Sequence, residues 1–332
     1  MPLHLEPGDG PPSFPDLLAA AGYRAMAAAL RLGVFGALVN GPLPAPELAA
    51  ELDVDPRGAG LLAEALVAFG YLEHVDGGYA NTEPTRRWLS GPGYRDVDQF
   101  WAAVLFESWD GLEESLRTGR PALDFYGWLA ARPETLHRFQ GMLSGLADTT
   151  GAEVAGLVPV GASVLDLGGG HAKYAIRLCA EHPALRATVV DLPDALEVGR
   201  RAVDDAGLAD RITLRAGDYD EIDLGADHDA VLLFNVVHGR GAAANRVLLG
   251  RVAAALRPGG VVALLELDEH AEDPSAEAFA RVFSLNLFHG QGGQVYGAAE
   301  IGEWLAGAGF ADTTTHPLRS APGQSLTIAR KR

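Results

Sequence analysis

Ser163-Val-Leu-Asp-Leu-Gly-Gly-Gly-His-Ala172 decides the fold of this chain. An apolar run that ends in an acid, three glycines and then a helical stretch from Lys173 read as strand, tight turn and helix. Glycines at such a turn let the backbone approach a ligand closely just before a helix begins. Working outward, Ala187-Thr-Val-Val-Asp191, Arg211-Ile-Thr-Leu-Arg215, Ala230-Val-Leu-Leu-Phe-Asn-Val-Val237 and Val261-Val-Ala-Leu-Leu-Glu266 repeat the apolar run, with helical stretches between. Near-continuous apolar strands alternating with helices predict an α/β domain with a mainly parallel sheet covered on both faces. Ligands of such sheets bind beyond the carboxyl ends of the strands, so the residues that end each strand carry the information.

Three strand ends agree on a ligand. Asp166 stands two residues before Gly168-Gly169-Gly170, where a negative charge suits a cationic group better than a pyrophosphate, and the glycines do not follow the dinucleotide spacing. Asp191, twenty-five residues on, is placed to accept both ribose hydroxyls of an adenosine. Gly217-Asp218-Tyr219 follows the third strand with a carboxylate for an amino group and an aromatic face for a purine. Together they call for an adenosine that carries positive charge and no phosphate.

The amino-terminal part has another pattern. Residues 1–15 hold five prolines and read as a disordered or loosely docked arm without the basic start or apolar run of a signal peptide. Asp16 to Leu38 reads as one or two packed helices, followed by a short helix at Pro46–Leu52 and a second at Gly60–Phe69, entered through Asp55-Pro56 and closed by Gly70. Tyr71–Val75 and Tyr79–Thr82 alternate like strands around Asp76-Gly77-Gly78, which completes a winged helix. Residues 1–100 carry six Arg, no Lys and thirteen Asp or Glu, a net −7, which is the wrong sign for gripping phosphates. The domain therefore reads as a packing or dimerisation module. Residues 98–118 and 133–150 read as helices around a loop with Pro121, Phe125 and Trp128, and they supply aromatics to a core and to a pocket.

Composition agrees. With 26 Lys plus Arg against 44 Asp plus Glu, the chain carries −18 and repels nucleic acid and anionic membranes. No stretch approaches a membrane span. Cys179, the single cysteine, can form no internal disulfide and fits a reducing, cytoplasmic compartment.

With these residues in place the chain resembles the S-adenosylmethionine-dependent small-molecule O-methyltransferases of the caffeate and hydroxyindole type and their bacterial natural-product relatives. The likeness covers almost the whole chain. Val164-Leu-Asp-Leu-Gly-Gly-Gly resembles the family's cofactor loop, Val190-Asp-Leu-Pro its ribose acid, Gly217-Asp-Tyr its adenine segment and Leu256-Arg-Pro-Gly-Gly its turn before the fifth strand. Val104-Leu-Phe-Glu-Ser-Trp-Asp-Gly-Leu resembles its interdomain helix. The resemblance implies a Rossmann-like class I methyltransferase domain at 151–332, a winged-helix dimerisation domain at 1–97 and interdomain helices at 98–150 that line the acceptor pocket. It also implies a homodimer that binds S-adenosylmethionine, releases S-adenosylhomocysteine and takes a small aromatic acceptor. Cofactor contacts fall on Asp166, Gly168, Gly169, Gly170, Asp191, Leu192, Gly217, Asp218, Tyr219, Phe234 and Asn235. His238 matches the general base and Glu266 the acid that orients it, while Trp109, Met142, Phe288 and His289 are the acceptor-pocket candidates.

Three departures matter. Ala172 stands where the family has a further glycine. Gly239-Arg240-Gly241-Ala242 replaces the Asp, Trp and acidic residues that usually follow the histidine. A second histidine, His289, read on a loop before Ala298, resembles a subgroup that C-methylates α-keto acids with a metal, but His238 and His289 without the following acid are two ligands where metal sites usually need three. The expectation is O-methylation without metal. The alternatives are metal-assisted C-methylation and a relative that binds cofactor without methylating.

Overall fold

The computed structural model describes residue 11, residues 13–270 and residues 273–332. The arm expected at residues 1–15 lies largely outside the described residues. The chain divides into two compact units, one of residues up to 108 with 133–142, the other of 109–132 with 143–332. The segment expected at 98–150 is thus shared between them.

In the first unit, helices Phe14–Leu32 and Val34–Ala37 meet at Gly33, whose φ of 86° ends one helix and opens the next. Helices Ala45–Leu52 and Pro56–Ala68 follow, the second capped by Asp55, whose carboxylate accepts from the Gly58 amide at 2.7 Å. Strands β1 (Leu72–Val75) and β2 (Gly78–Asn81) pair antiparallel, with Val75 opposite Gly78. Asp76 and Gly77 have φ of 49° and 79°, the two left-handed residues that a two-residue hairpin turn needs. Met26, Leu30, Phe35, Leu48, Leu66 and Leu72 form the core of this winged helix. The helix expected at 98–118 is interrupted: Pro92–Ala103 runs into a π-helical turn at Val104–Ser108, then a 3-10 turn at Trp109–Gly111 and a helix Leu112–Thr118. The loop expected around Phe125 contains a short helix, Phe125–Ala130, and Pro133–Leu157 is one long helix.

In the second unit, β3 (Ser163–Leu167), β4 (Arg186–Asp191), β5 (Ile212–Ala216), β6 (His228–Phe234) and β7 (Leu256–Leu267) are parallel. Two strands the sequence reading missed, β8 (Phe310–Pro317) and β9 (Gln324–Lys331), pair antiparallel and complete the order β5-β4-β3-β6-β7-β9-β8. Side chains alternate between two cores: Ala230, Leu232 and Phe234 enter one face, Val231 and Leu233 the other. The order reverses between β3 and β6, and it is at the carboxyl ends of such a switch point that open parallel sheets take their ligands.

The run expected to reach Val237 stops at Phe234. Asn235 turns left-handed at φ 57°, and the amides of Val236 and Val237 leave the sheet to bind the Glu266 carboxylate. The histidine expected on a loop, His289, sits near the end of the helix Pro274–Gln291. Asp273 caps that helix by accepting from the Ala276 amide, so the pattern of Asp before Pro that opened the Pro56 helix opens this one too.

Candidate active site

The turn after β3 is shaped by what surrounds its glycines. A Cβ on Gly169 would lie 2.3 Å from Asp166 Oδ2, and one on Gly170 would lie 2.8 Å from Asp191 Oδ2 and 2.9 Å from Ala195 Cβ. Gly168, at φ 75°, has Tyr219 within 3.8 Å of the same position. Asp191 accepts from the Gly170 amide at 2.8 Å and from the Leu192 amide at 2.7 Å, which ties the end of β4 to the glycine turn. Ala172 takes a left-handed φ of 57° and is fully buried, so its methyl is accommodated where the family has glycine. Gly199, on helix Pro193–Asp205, lets that helix press on the turn: a Cβ there would lie 2.2 Å from the Gly170 carbonyl oxygen.

Asp166 is 1% exposed and neither carboxylate oxygen has a partner. Burial, and after it the Asp191 charge, push its carboxyl up to about 7. Burial also raises Asp191, against the Leu192 and Gly170 amides that lower it. A buried acid with two empty acceptors is costly unless something cationic or hydrogen-bonding meets it. The cradle therefore fits a ligand that carries positive charge, and S-adenosylmethionine has that charge on its sulfonium and its amino group.

The remaining predicted cofactor residues lie along the same strand ends. Leu192 opens helix Pro193–Asp205 with its side chain exposed. The Gly217 amide donates to the Asp191 carbonyl at 3.0 Å, and Asp218 Oδ1 accepts from the Asp220 amide at 2.8 Å. Phe234 packs edge-on against Tyr174, centroids 4.7 Å apart, and the Asn235 amide donates to the Leu265 carbonyl at 2.8 Å.

At the β6 and β7 ends, His238 lies in a 3-10 turn, Val237–Gly239, with its Nδ1 2.5 Å from Glu266 Oε2. The other Glu266 oxygen accepts from the amides of Val236 at 3.0 Å and Val237 at 2.9 Å. A carboxylate at Nδ1 accepts the proton there, which leaves the lone pair on Nε2. Phe283 meets the imidazole edge-on at 5.4 Å.

Helix Pro274–Gln291 gathers part of the predicted acceptor set. Trp109 Nε1 donates to Asn286 at 3.0 Å, and His289 Nδ1 lies 2.8 Å from Ser115 Oγ, which in turn accepts from the Ala122 amide at 2.9 Å. Phe288 is half-buried on the same helix, whereas Met142 belongs to the other compact unit. Among the described residues, no three His, Cys, Asp or Glu side chains come together in a way that would hold a metal. The Nδ1 atoms of His238 and His289 each face a protein partner, Glu266 and Ser115.

Sequence reasoning missed Asn286, Phe283, Ser115 and Tyr126, and read Arg240 only as part of the departure that follows His238. Tyr126, on the short helix Phe125–Ala130, is half exposed. Phe279 and Phe283 stack in parallel at i and i+4, a spacing readable in the sequence, but the meeting of Phe283 with His238 is a tertiary fact.

Residues 146–311 match the O-methyltransferase domain and residues 17–91 the O-methyltransferase dimerisation domain. The chain belongs to the O-methyltransferase family. It is 33% identical to 3-hydroxy-5-methyl-1-naphthoate 3-O-methyltransferase of Streptomyces sahachiroi, over 92% of this chain and 90% of that one. It is 32% identical to the tetracenomycin polyketide synthesis 8-O-methyl transferase TcmO of Streptomyces glaucescens, over 95% and 94%. The solved S-adenosylmethionine-dependent methyltransferase SibL, in its apo form, superposes with a TM-score of 0.72 at 29% identity, covering 96% of this chain and 98% of that one. An S-adenosylmethionine-dependent O-methyltransferase is thus what family and fold give. No helix among the described residues is long and apolar enough to cross a membrane.

Proposed function

We propose that this enzyme methylates a phenolic hydroxyl of a fused aromatic natural product, with His238 as general base and Glu266 as the group that orients it. The observation that carries the reading is the contact of 2.5 Å between His238 Nδ1 and Glu266 Oε2 at the carboxyl end of the sheet. The choice of acceptor rests on the two Streptomyces relatives, named for O-methylation of a hydroxynaphthoate and in tetracenomycin polyketide synthesis. The match to a dimerisation domain supports a homodimer formed through the amino-terminal unit.

S-adenosylmethionine supplies a methyl group already activated by its sulfonium, so positioning and deprotonation are what the protein adds. Asp166 meets positive charge on the ligand, Asp191 the ribose hydroxyls, and Tyr219 the adenine. A phenol of pKa near 10 is mostly protonated at neutral pH. His238 Nε2 takes its proton while the oxygen–methyl bond forms and the sulfur–methyl bond breaks. Glu266, held by the Val236 and Val237 amides, fixes the tautomer and stabilises the imidazolium that results.

The test is to incubate the enzyme with S-adenosylmethionine and a panel of hydroxynaphthoates and hydroxylated polycyclic aromatics, and to read S-adenosylhomocysteine and a product 14 mass units heavier, about one CH₂. A methyl ether from at least one phenol, lost with the matching methoxy compound, supports the reading. Tight cofactor binding with no S-adenosylhomocysteine from any phenol would point to the relative that binds without methylating.

A further inference from the structure

The turn that carries His238 is a rigid piece. The Arg240 amide donates to the Val237 carbonyl at 3.3 Å, Asn245 Nδ2 donates to the Val237 carbonyl at 2.8 Å and the Arg240 carbonyl at 3.3 Å, and Tyr296 donates its hydroxyl to the Arg240 carbonyl at 2.6 Å. Gly293 lies so close that a Cβ there would be 2.0 Å from the His238 carbonyl oxygen and 2.5 Å from the Arg240 amide nitrogen. Residues 237–240 can therefore shift only together.

The side chain of Arg240 leaves this turn for the segment after β5. Its two terminal nitrogens grip the Asp220 carboxylate as a fork, Nη1 to Oδ2 at 2.7 Å and Nη2 to Oδ1 at 2.8 Å. Its guanidinium carbon stands 5.5 Å from the Tyr219 ring centroid, and its Nε–H is buried without a partner. The Arg240 side chain is 17% exposed and that of Asp220 36%, so the fork stands at the edge of solvent with its arginine the more covered of the two. A bidentate guanidinium–carboxylate pair fixes direction as well as distance, which a lysine cannot do. From the other side, Arg251 Nη1 donates to the Tyr219 carbonyl at 2.5 Å, and Arg251 also binds the Ile222 carbonyl. The Arg240 arm is what connects this segment to the turn of the imidazole.

We propose that Arg240 is a positioning residue that couples the segment Gly217–Asp220 to the turn carrying His238, so that a ligand settling against Tyr219 sets where the imidazole stands. This rests on the reading of Gly217–Tyr219 as the adenosine contact. It also accounts for the unusual Gly239-Arg240-Gly241. Gly239 leaves room, since a Cβ there would lie 2.5 Å from Gln291 Oε1, and the arginine makes the link.

The experiment follows the His238 imidazole by NMR, as the midpoint of its titration with and without saturating S-adenosylhomocysteine, in the wild type, Arg240→Ala, Asp220→Asn and the double variant. Glu266 and Phe283 face that imidazole in every one of these proteins. Any direct effect of the ligand on the ring is common to all, so the difference between variants isolates the link. The expected result is a displacement in the wild type that falls below half in each single variant and no further in the pair, with S-adenosylhomocysteine affinity reduced about tenfold in both. Arg240→Lys, which keeps the charge without the fork, should fall between. An equal displacement in wild type and variants, or none in the wild type, would overturn the coupling. Calorimetry of the wild type separates the two ideas: absence of S-adenosylhomocysteine binding fails the cofactor reading, whereas normal binding with equal displacements fails the coupling alone.

Discussion

Asp166 and Glu266 belong to the same sheet and are almost equally buried, at 1% and 5% exposure, yet the first has no hydrogen-bond partner and the second has three. Glu266 is spent on the protein itself: two amides and an imidazole use both of its oxygens. Asp166 is held by packing alone, with Gly169 pressed against it, and its acceptors are left over. A satisfied buried carboxylate positions neighbours, while an unsatisfied one is kept for a ligand. On this difference we propose that Asp166 at the β3 end serves the cofactor and that Glu266, through His238, serves the proton.

The sharpest break in that comparison would come from the imidazole that Glu266 holds. His238→Gln should lower kcat by roughly 10²- to 10⁴-fold while S-adenosylhomocysteine affinity, read by calorimetry, stays within about threefold. Next is the other carboxylate. Asp166→Asn should weaken S-adenosylmethionine binding by roughly 10- to 150-fold, the range of a lost hydrogen bond to charge, with kcat at saturation little changed.

The third effect is on pH. The Asp166 carboxyl titrates at about 7 in the folded chain against 3.8 in the open chain. Its pKa is raised, so the stability it contributes is complete below the open-chain value and is lost as pH rises through about 7. The cofactor-free wild type should unfold at a lower temperature at pH 8 than at pH 6 by a wider margin than Asp166→Asn does, as read by scanning calorimetry. Ligand cation should narrow the difference, because it favours the ionised acid. The smallest effect concerns a third carboxylate whose role is purely local. Asp55→Ala removes the cap on the Pro56–Ala68 helix and should cost about 1 kcal/mol of stability in urea melts without changing cofactor affinity.

What could be read from the sequence follows from the same contrast. The cradle we propose for the cofactor is built of backbone and of residues near one another in the chain, so glycines, strand-ending acids and apolar runs mark it in the sequence. Asp55-Pro56 and Asp76-Gly77 announced a helix start and a hairpin for the same reason: the signal and the structure are local. The side we propose for the acceptor rests on contacts between distant residues, Trp109 with Asn286 and Ser115 with His289, and no local pattern encodes them. The end of β6 was missed because its amides are drawn off by Glu266, thirty residues away. Strand β8 was missed because Phe310–Pro317 is largely exposed and lacks the apolar run that marks the inner strands, and β9 because its buried stretch, Gln324-Ser-Leu-Thr-Ile-Ala329, mixes polar with apolar residues.

The most direct test measures two quantities on two variants, S-adenosylmethionine affinity by calorimetry and kcat at saturating cofactor on the phenol that gives product, for Asp166→Asn and Glu266→Gln. The two carboxylates should separate: the first variant loses affinity and keeps kcat, and the second keeps affinity and loses kcat. If both variants lost the same quantity, the division of the sheet into a cofactor end and a proton end would be wrong.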